Sequence, residues 1–259
     1  MDLNLAGRTA LVTGGSKGIG FAAAKSLAAE GCHLHLAARS EDALSEAKDQ
    51  IMRGHQVSVT THAVDLSQSE AQQDLIGRVG DIDILVNNAG AIPGGSVDMV
   101  DEARWREAWD LKVFGYINMC RGVHAMMASR GNGVIVNVIG LAGEAFMANY
   151  IAGSTGNAGL MAFTRALGSN SLDNGVRVVG INPGLVETER MVTLMRTRAE
   201  NELGDPDRWP ELTTNLPLGR AARPDEIGDL VTFLASDRSS YTTGVIYSVD
   251  GGTAAKNGL

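Results

Sequence analysis

The sequence predicts one α/β domain over residues 1–259: a Rossmann-type, doubly wound, parallel seven-stranded sheet with helices on both faces. Three observations carry this. Short apolar runs of strand length alternate with longer stretches of helical period along the whole chain. A glycine-rich turn, Thr13-Gly14-Gly15-Ser16-Lys17-Gly18-Ile19-Gly20, joins the first apolar run to the first helical stretch. No repeat, low-complexity tract or linker divides the 259 residues, a length at which one core suffices.

The first strand is Thr9 to Thr13, followed by a helix from Ile19 to Glu30. His33 to Ala38 is the second strand, with a helix after it through Ala47. The third strand starts at Val57 and ends near Asp65. Ile82–Val86, Val134–Val138, Val176–Ile181 and Val245–Val249 supply the fourth to seventh. Parallel strands joined by helices are buried on both faces, which is why these runs are nearly continuous in apolar residues. Residues 188–217 break the rhythm. They hold no strand, contain Gly204, Pro206 and Pro210, and carry Met191, Leu194 and Met195 at helical spacing. A structured insertion of this length is expected to act as a substrate-covering lid.

The glycine turn has the strand–turn–helix context of a dinucleotide site. Gly14, Gly18 and Gly20 permit a tight turn, close approach of backbone to pyrophosphate and close helix–sheet packing. The following helix N-terminus offers unpaired N–H groups to phosphate. At the end of the second strand an acidic residue would hold a ribose 2′-hydroxyl. Here the run is Ala37-Ala38-Arg39-Ser40 with no carboxylate, and Lys17 adds a cation on the same side. Both features favour NADP(H) over NAD(H).

Composition narrows the remaining classes. A net charge of −8 and a pI near 5.1 argue against a nucleic-acid surface. Cys32 and Cys120 have no metal-ligand spacing and are expected to be reduced and buried, as suits a cytoplasmic protein; no metal site is expected. No basic leader precedes the first strand and no apolar run is long enough to span a bilayer, so no membrane partner is expected.

The wide glycine spacing, Asp65-Leu66, Asn87-Asn88-Ala89-Gly90, Asn182-Pro183-Gly184 with Thr188, and Val249-Asp250-Gly251-Gly252 together resemble the short-chain dehydrogenase/reductase family over nearly the whole chain. The resemblance implies a cofactor site of Gly14, Ser16, Lys17, Gly18, Ile19, Gly20, Arg39, Asp65, Leu66, Asn88, Ala89, Gly90, Pro183, Gly184 and Thr188. In it Asp65-Leu66 contacts adenine and Thr188 meets the nicotinamide carboxamide. The resemblance also implies a small-molecule substrate and a homo-oligomer, dimer or tetramer, built on the long helices starting near Trp105 and Thr155 and on the seventh strand.

The catalytic positions depart from the family. Hydride transfer to a carbonyl builds charge on oxygen that a proton donor must meet. The family meets it with Asn, Ser, Tyr and Lys, the lysine lowering the tyrosine's pKa. Ungapped register places these on Lys112, Gly140, Gly153 and Asn157. The exchange of residue types between 112 and 157 raises the expectation that Lys112 supplies an amine from the opposite helix while Asn157 contacts the nicotinamide ribose. Tyr150 lies about 4.5 Å of helical rise from Gly153. It either lines the pocket rim or substitutes for the missing acid if loop or substrate is placed differently. Glu144 is a further acid/base candidate. Ser154 and Thr155 are candidates for capping or hydrogen bonding, and the five histidines are expected to lie away from the pocket.

Three readings follow. The first is an NADP(H)-dependent oxidoreductase with a non-standard acid/base site. The second is a catalytically inactive dinucleotide-binding sensor or scaffold. The third is a non-redox enzyme, a lyase or isomerase, with Lys112 or Glu144 as base.

Overall fold

A computed structural model describes residues 2–256, with Asn201 by its backbone only. Seven strands form one all-parallel sheet in the order β3-β2-β1-β4-β5-β6-β7. They are β1 (Thr9–Thr13), β2 (His33–Ala38), β3 (Val59–Ala63), β4 (Ile84–Asn87), β5 (Gly133–Val138), β6 (Val176–Pro183) and β7 (Ile246–Val249). The order reverses between β1 and β4, so the crevice beyond their carboxyl ends is where a doubly wound sheet binds its ligand.

Successive strand residues feed two cores, one on each face. Ala10 and Val12 of β1 pack with α1 (Gly18–Ala29), α2 (Glu41–Gly54) and α8 (Pro224–Ala235). Leu11, between them, packs with α3 (Ser69–Val79) and α5 (Gly115–Arg130) on the other face. Cys32 and Cys120 are buried free thiols in these two cores. A polar chain crosses the second core: Asn87 Nδ2 donates to Asn137 Oδ1 (3.0 Å), and Asn137 Nδ2 donates to Thr164 Oγ1 (3.0 Å). It ties the ends of β4 and β5 to α6 (Ile151–Ser171), which carries Gly153 and Asn157.

Several boundaries differ from the sequence reading; β4 starts two residues later than expected and β6 runs two residues further, to Pro183. The helix after β2 continues past Ala47 to Gly54, with Ser40 Oγ capping it by accepting from Ala43 N (3.2 Å). Strand β3 is shorter at both ends than expected. Helix α6 begins at Ile151, four residues before Thr155, which puts Gly153 in its first turn. The insertion after β6 contains no strand. It folds as α7 (Glu189–Leu203), capped by Thr188 Oγ1 accepting from Met191 N (3.3 Å) and ended by Gly204 at φ +74°, and then a 3₁₀ segment Pro206–Thr213. The helix from Glu102 to Arg130 is interrupted by a π-helical turn at Asp110–Phe114, which separates α4 (Glu102–Trp109) from α5. Such turns re-aim side chains, and this one carries Lys112.

Candidate active site

The glycine turn is a cradle that side chains would fill. Gly14 and Gly18 have φ of +64° and +56°, a region open mainly to glycine. A Cβ on Gly20 would overlap Gly14 O and Asn88 Nδ2. The N-cap of α1, Lys17, makes no side-chain capping bond, so no side chain caps the first-turn N–H groups. Across the switch point Thr13 Oγ1 accepts from Asn88 N (2.9 Å) and Ala89 N (3.1 Å), and Asn88 Nδ2 donates to Thr13 O and Gly14 O, each at 3.2 Å. These bonds lock the β4 end against the turn. A cavity of about 320 Å³ adjoins it, lined among others by Arg39, Asp65, Ile92, Arg104, Leu111 and Arg190. Arg39 has no carboxylate partner among the described residues. Lys17 is turned toward the insertion, with Nζ 3.0 Å from Glu189 Oε2. Thr188 packs on Gly18, where an added Cβ would stand 3.1 Å from its methyl.

At the other end of the crevice, Tyr150 is the N-cap of α6 in a non-helical conformation (φ −141°, ψ 42°), and its ring folds down over Gly153. A Cβ at 153 would overlap the ring, with Cδ1 only 2.5 Å away. Gly140, at φ +142°, lies against Asn157: an added Cβ would be 2.8 Å from Asn157 Nδ2. Asn157 Oδ1 is buried without a hydrogen-bond partner. Lys112 is 7% exposed, and its stem crosses the face of Gly90. Its Nζ donates to Tyr116 Oη (2.7 Å) and Val138 O (2.8 Å) and stands 4.3 Å from the Tyr116 ring centroid. Tyr116 Oη also donates to Val138 O (2.7 Å).

Electrostatics follow burial. The Lys112 amine has only neutral oxygens and a ring face around it, so burial pulls its pKa down to about 7, and the charge of Arg190 acts in the same direction. The Tyr150 phenol is raised by burial and lowered by Arg190. Burial holds Tyr116 well above the usual phenol range, so it stays neutral.

Comparisons with known proteins identify the family of this fold. The model of a family described as enoyl-(acyl carrier protein) reductase matches residues 14–254. The chain is similar to a 3-oxoacyl-[acyl-carrier-protein] reductase of Chlamydia muridarum, 34% identical over 98% of this chain and 100% of that one. It is 32% identical to a trans-4-hydroxycyclohexanecarboxylate dehydrogenase of Sinomonas cyclohexanicum, over 98% and 96%. Among solved structures, L-sorbose reductase from Gluconobacter frateurii, complexed with NADPH and L-sorbose, superposes with a TM-score of 0.93 at 31% identity, covering 98% of this chain and 99% of that one. The chain belongs to the short-chain dehydrogenase/reductase family.

In this short-chain dehydrogenase/reductase, a family of NAD(P)-dependent oxidoreductases, Arg39 and Asp65 of the residues expected at the cofactor end line one cavity, and Gly14, Gly20, Asn88 and Ala89 meet at the switch point. The expected catalytic residues split. Asn157 and Gly140 touch, and Tyr150 covers Gly153. No hydrogen bond joins Lys112 to Asn157 among the described residues, because the amine turns back to Tyr116 and the end of β5. Glu144 is also directed elsewhere: its Oε2 accepts from Asn182 Nδ2 (3.3 Å) and Ser248 Oγ (2.5 Å). Ser154 Oγ accepts from Met147 N (3.0 Å), and Thr155 Oγ1 donates to Ile151 O (2.9 Å). His35 and His62 pair with each other across β2 and β3 (2.9 Å). Tyr116 and Arg190 were not singled out from sequence. Tyr116 was signalled by its spacing, four residues after Lys112 on one helical face. Arg190 carried no local signal.

Among the described residues no group of three or more His, Cys, Asp or Glu could hold a metal ion, and no helix is long and apolar enough to cross a membrane.

Proposed function

We propose that the protein is an NADP(H)-dependent oxidoreductase acting on a small carbonyl or alcohol substrate, with Tyr150 carrying the proton. The observation that carries this is the Tyr150 ring seated on Gly153. The position that lacks a side chain is covered by a phenol delivered from one turn earlier.

The crevice fits the dinucleotide. Gly14, Gly18 and Gly20 make room for pyrophosphate at the uncapped start of α1. Arg39, free of carboxylate partners among the described residues, suits a 2′-phosphate, and the NADPH of the sorbose reductase complex supports the same choice. The missing hydrogen-bond partner of Asn157 Oδ1 supports its assignment as the acceptor for a ribose hydroxyl. When bound, NADPH supplies the hydride to the carbonyl carbon. Tyr150 Oη gives its proton to the carbonyl oxygen, which leaves as an alcohol, and the phenolate regains a proton from water. Lys112 holds the Val138 carbonyl and so positions the backbone leading to Gly140. Residues 188–217 act as a lid: Lys17–Glu189 and Thr188 on Gly18 fasten its start to the glycine turn. The cytoplasm suits such an enzyme.

A second copy of the chain is part of this proposal. A groove of about 540 Å³ along α4 and the π turn is lined by Val97, Val100, Trp105, Trp109 and Phe114, and Phe114 is 51% exposed. This is the helix on which the family resemblance places oligomer contacts.

The test is NADPH and NADH binding followed by turnover over a panel of ketones and alcohols, with Tyr150→Phe alongside. Tight NADPH binding, turnover in the native protein and its loss in Tyr150→Phe are expected. Binding without any turnover would instead make the protein a dinucleotide sensor.

A further inference from the structure

Arg190 is the second residue of α7, two positions beyond Thr188. Its Nη2 donates to Ile92 O (2.9 Å), crossing from the lid to the loop after β4. The Ile92 side chain is buried with Ala108 and Ala152 in a small cluster against which Tyr150 and Trp105 pack. The guanidinium is therefore tethered to the backbone of a residue that packs in the tyrosine's own cluster. Its other neighbours on the insertion use their charges locally: Arg196 pairs with Asp207, Arg198 with Glu202 and Arg208 with Glu211. Arg190 makes no such pair among the described residues, in a chain with an excess of acidic side chains.

We propose that Arg190, brought in by the lid, supplies the cation that Asn157 cannot, and favours the phenolate of Tyr150 when α7 is docked on Ile92. This rests on the reading of Tyr150 as the proton carrier. In the family pattern a lysine at position 157 performs this electrostatic task. Here a charge of the same sign is held by Ile92 O beside the tyrosine's cluster.

The surroundings of Tyr150 leave few other sources. It packs on the 92–95 loop, on Trp105 and Ala108 of α4, and on the first turn of α6. The charged groups of the adjoining cavity are Arg39, Asp65, Arg104, Glu107 and Arg190. Of these, Arg190 is the cation tethered through Ile92 O to the cluster in which Tyr150 packs, and its charge opposes the effect of burial on the phenol. A cation near a phenol stabilises the charged form, so removing it raises the pKa. Arg190 is exposed, which keeps the effect modest and makes it sensitive to salt. Because the charge arrives with the lid, proton transfer is coupled to closure.

The experiment compares the native protein with Arg190→Gln and Arg190→Lys in two readouts. One is the phenolate absorbance of Tyr150, taken without cofactor as the difference from Tyr150→Phe in each background. The other is kcat for alcohol oxidation against pH, where the rate below the pKa follows the phenolate fraction. Arg190→Gln is expected to move both upward by about 0.5–1 pH unit, equivalent to roughly a 3–10-fold lower rate at a fixed pH below the pKa. Arg190→Lys restores most of it, and 1 M salt shrinks the difference. An unmoved pH limb in Arg190→Gln overturns the proposal, as does a loss confined to NADPH binding, which would place Arg190 on the cofactor. Full activity of Tyr150→Phe is a different failure: it removes the reading of Tyr150 itself.

Discussion

The ring of Tyr150 lies across Gly153 so closely that residue 153 has no room for a Cβ. The absence of a side chain at 153 and the presence of the tyrosine at 150 are one structural feature. Gly153→Ala therefore displaces the ring. We expect it to lower kcat by about 10²–10⁴-fold, as Tyr150→Phe does, with NADPH affinity kept in both. Steady-state kinetics with parallel NADPH titration measure this; an active Gly153→Ala would show that the ring position is immaterial.

The same geometry decides what happens when the family's residues are restored. Gly140→Ser places a side chain at φ +142° and crowds Asn157 Nδ2, and Gly153→Tyr collides with the Tyr150 ring. The triple variant Gly140→Ser, Gly153→Tyr, Asn157→Lys is expected to be destabilised, about 1–3 kcal/mol of it from the strained backbone at 140. It should gain ordinary reductase activity only when Tyr150→Ala is added. Thermal denaturation and turnover of the triple and quadruple variants read the two effects separately.

Lys112 makes stability depend on pH. Its folded pKa, about 7, lies below the ordinary 10.5, so between these values the unfolded chain binds more protons than the folded one. Stability must then rise with pH across the window from about 7 to 10.5, by at most about 1.4 kcal/mol per pH unit from this group. Lys112→Met keeps the stem over Gly90 and leaves the Tyr116–Val138 bond in place. Urea titrations at pH 7, 8 and 9 should show the native protein gaining on this variant as pH rises. A constant gap between them would mean that the amine is not titrating in that range.

Arg39 lines the cavity of about 320 Å³ and has no carboxylate ion-pair partner among the described residues. Arg39→Asp should exchange a 2′-phosphate site for a 2′-hydroxyl site. We expect the ratio of NADPH to NADH affinity to fall at least about tenfold, measured by nucleotide fluorescence titration. An unchanged ratio would assign the selectivity to other cations of the crevice.

The cofactor end was legible because its determinants are local. A glycine turn between a strand and a helix, and an arginine at a strand end, state their purpose within a few residues. The catalytic end was legible only as a departure: register put Gly140, Gly153, Lys112 and Asn157 in place without showing how their side chains are disposed. Lys112 and Asn157 look like a reciprocal exchange in sequence. A π-helical turn and the partners Tyr116 and Val138 O draw the amine back into the core.

By itself the sequence determined the parallel sheet, the glycine turn at its switch point and the family, since hydrophobic period, turn chemistry and spacing act along the chain. Only the tertiary structure decided that Tyr150 covers Gly153 and that Arg190, from the insertion after β6, reaches across to Ile92. Both depend on side-chain directions and on contacts between segments far apart in sequence. Those directions are fixed by where α6 starts and how α7 docks, which no local pattern specifies.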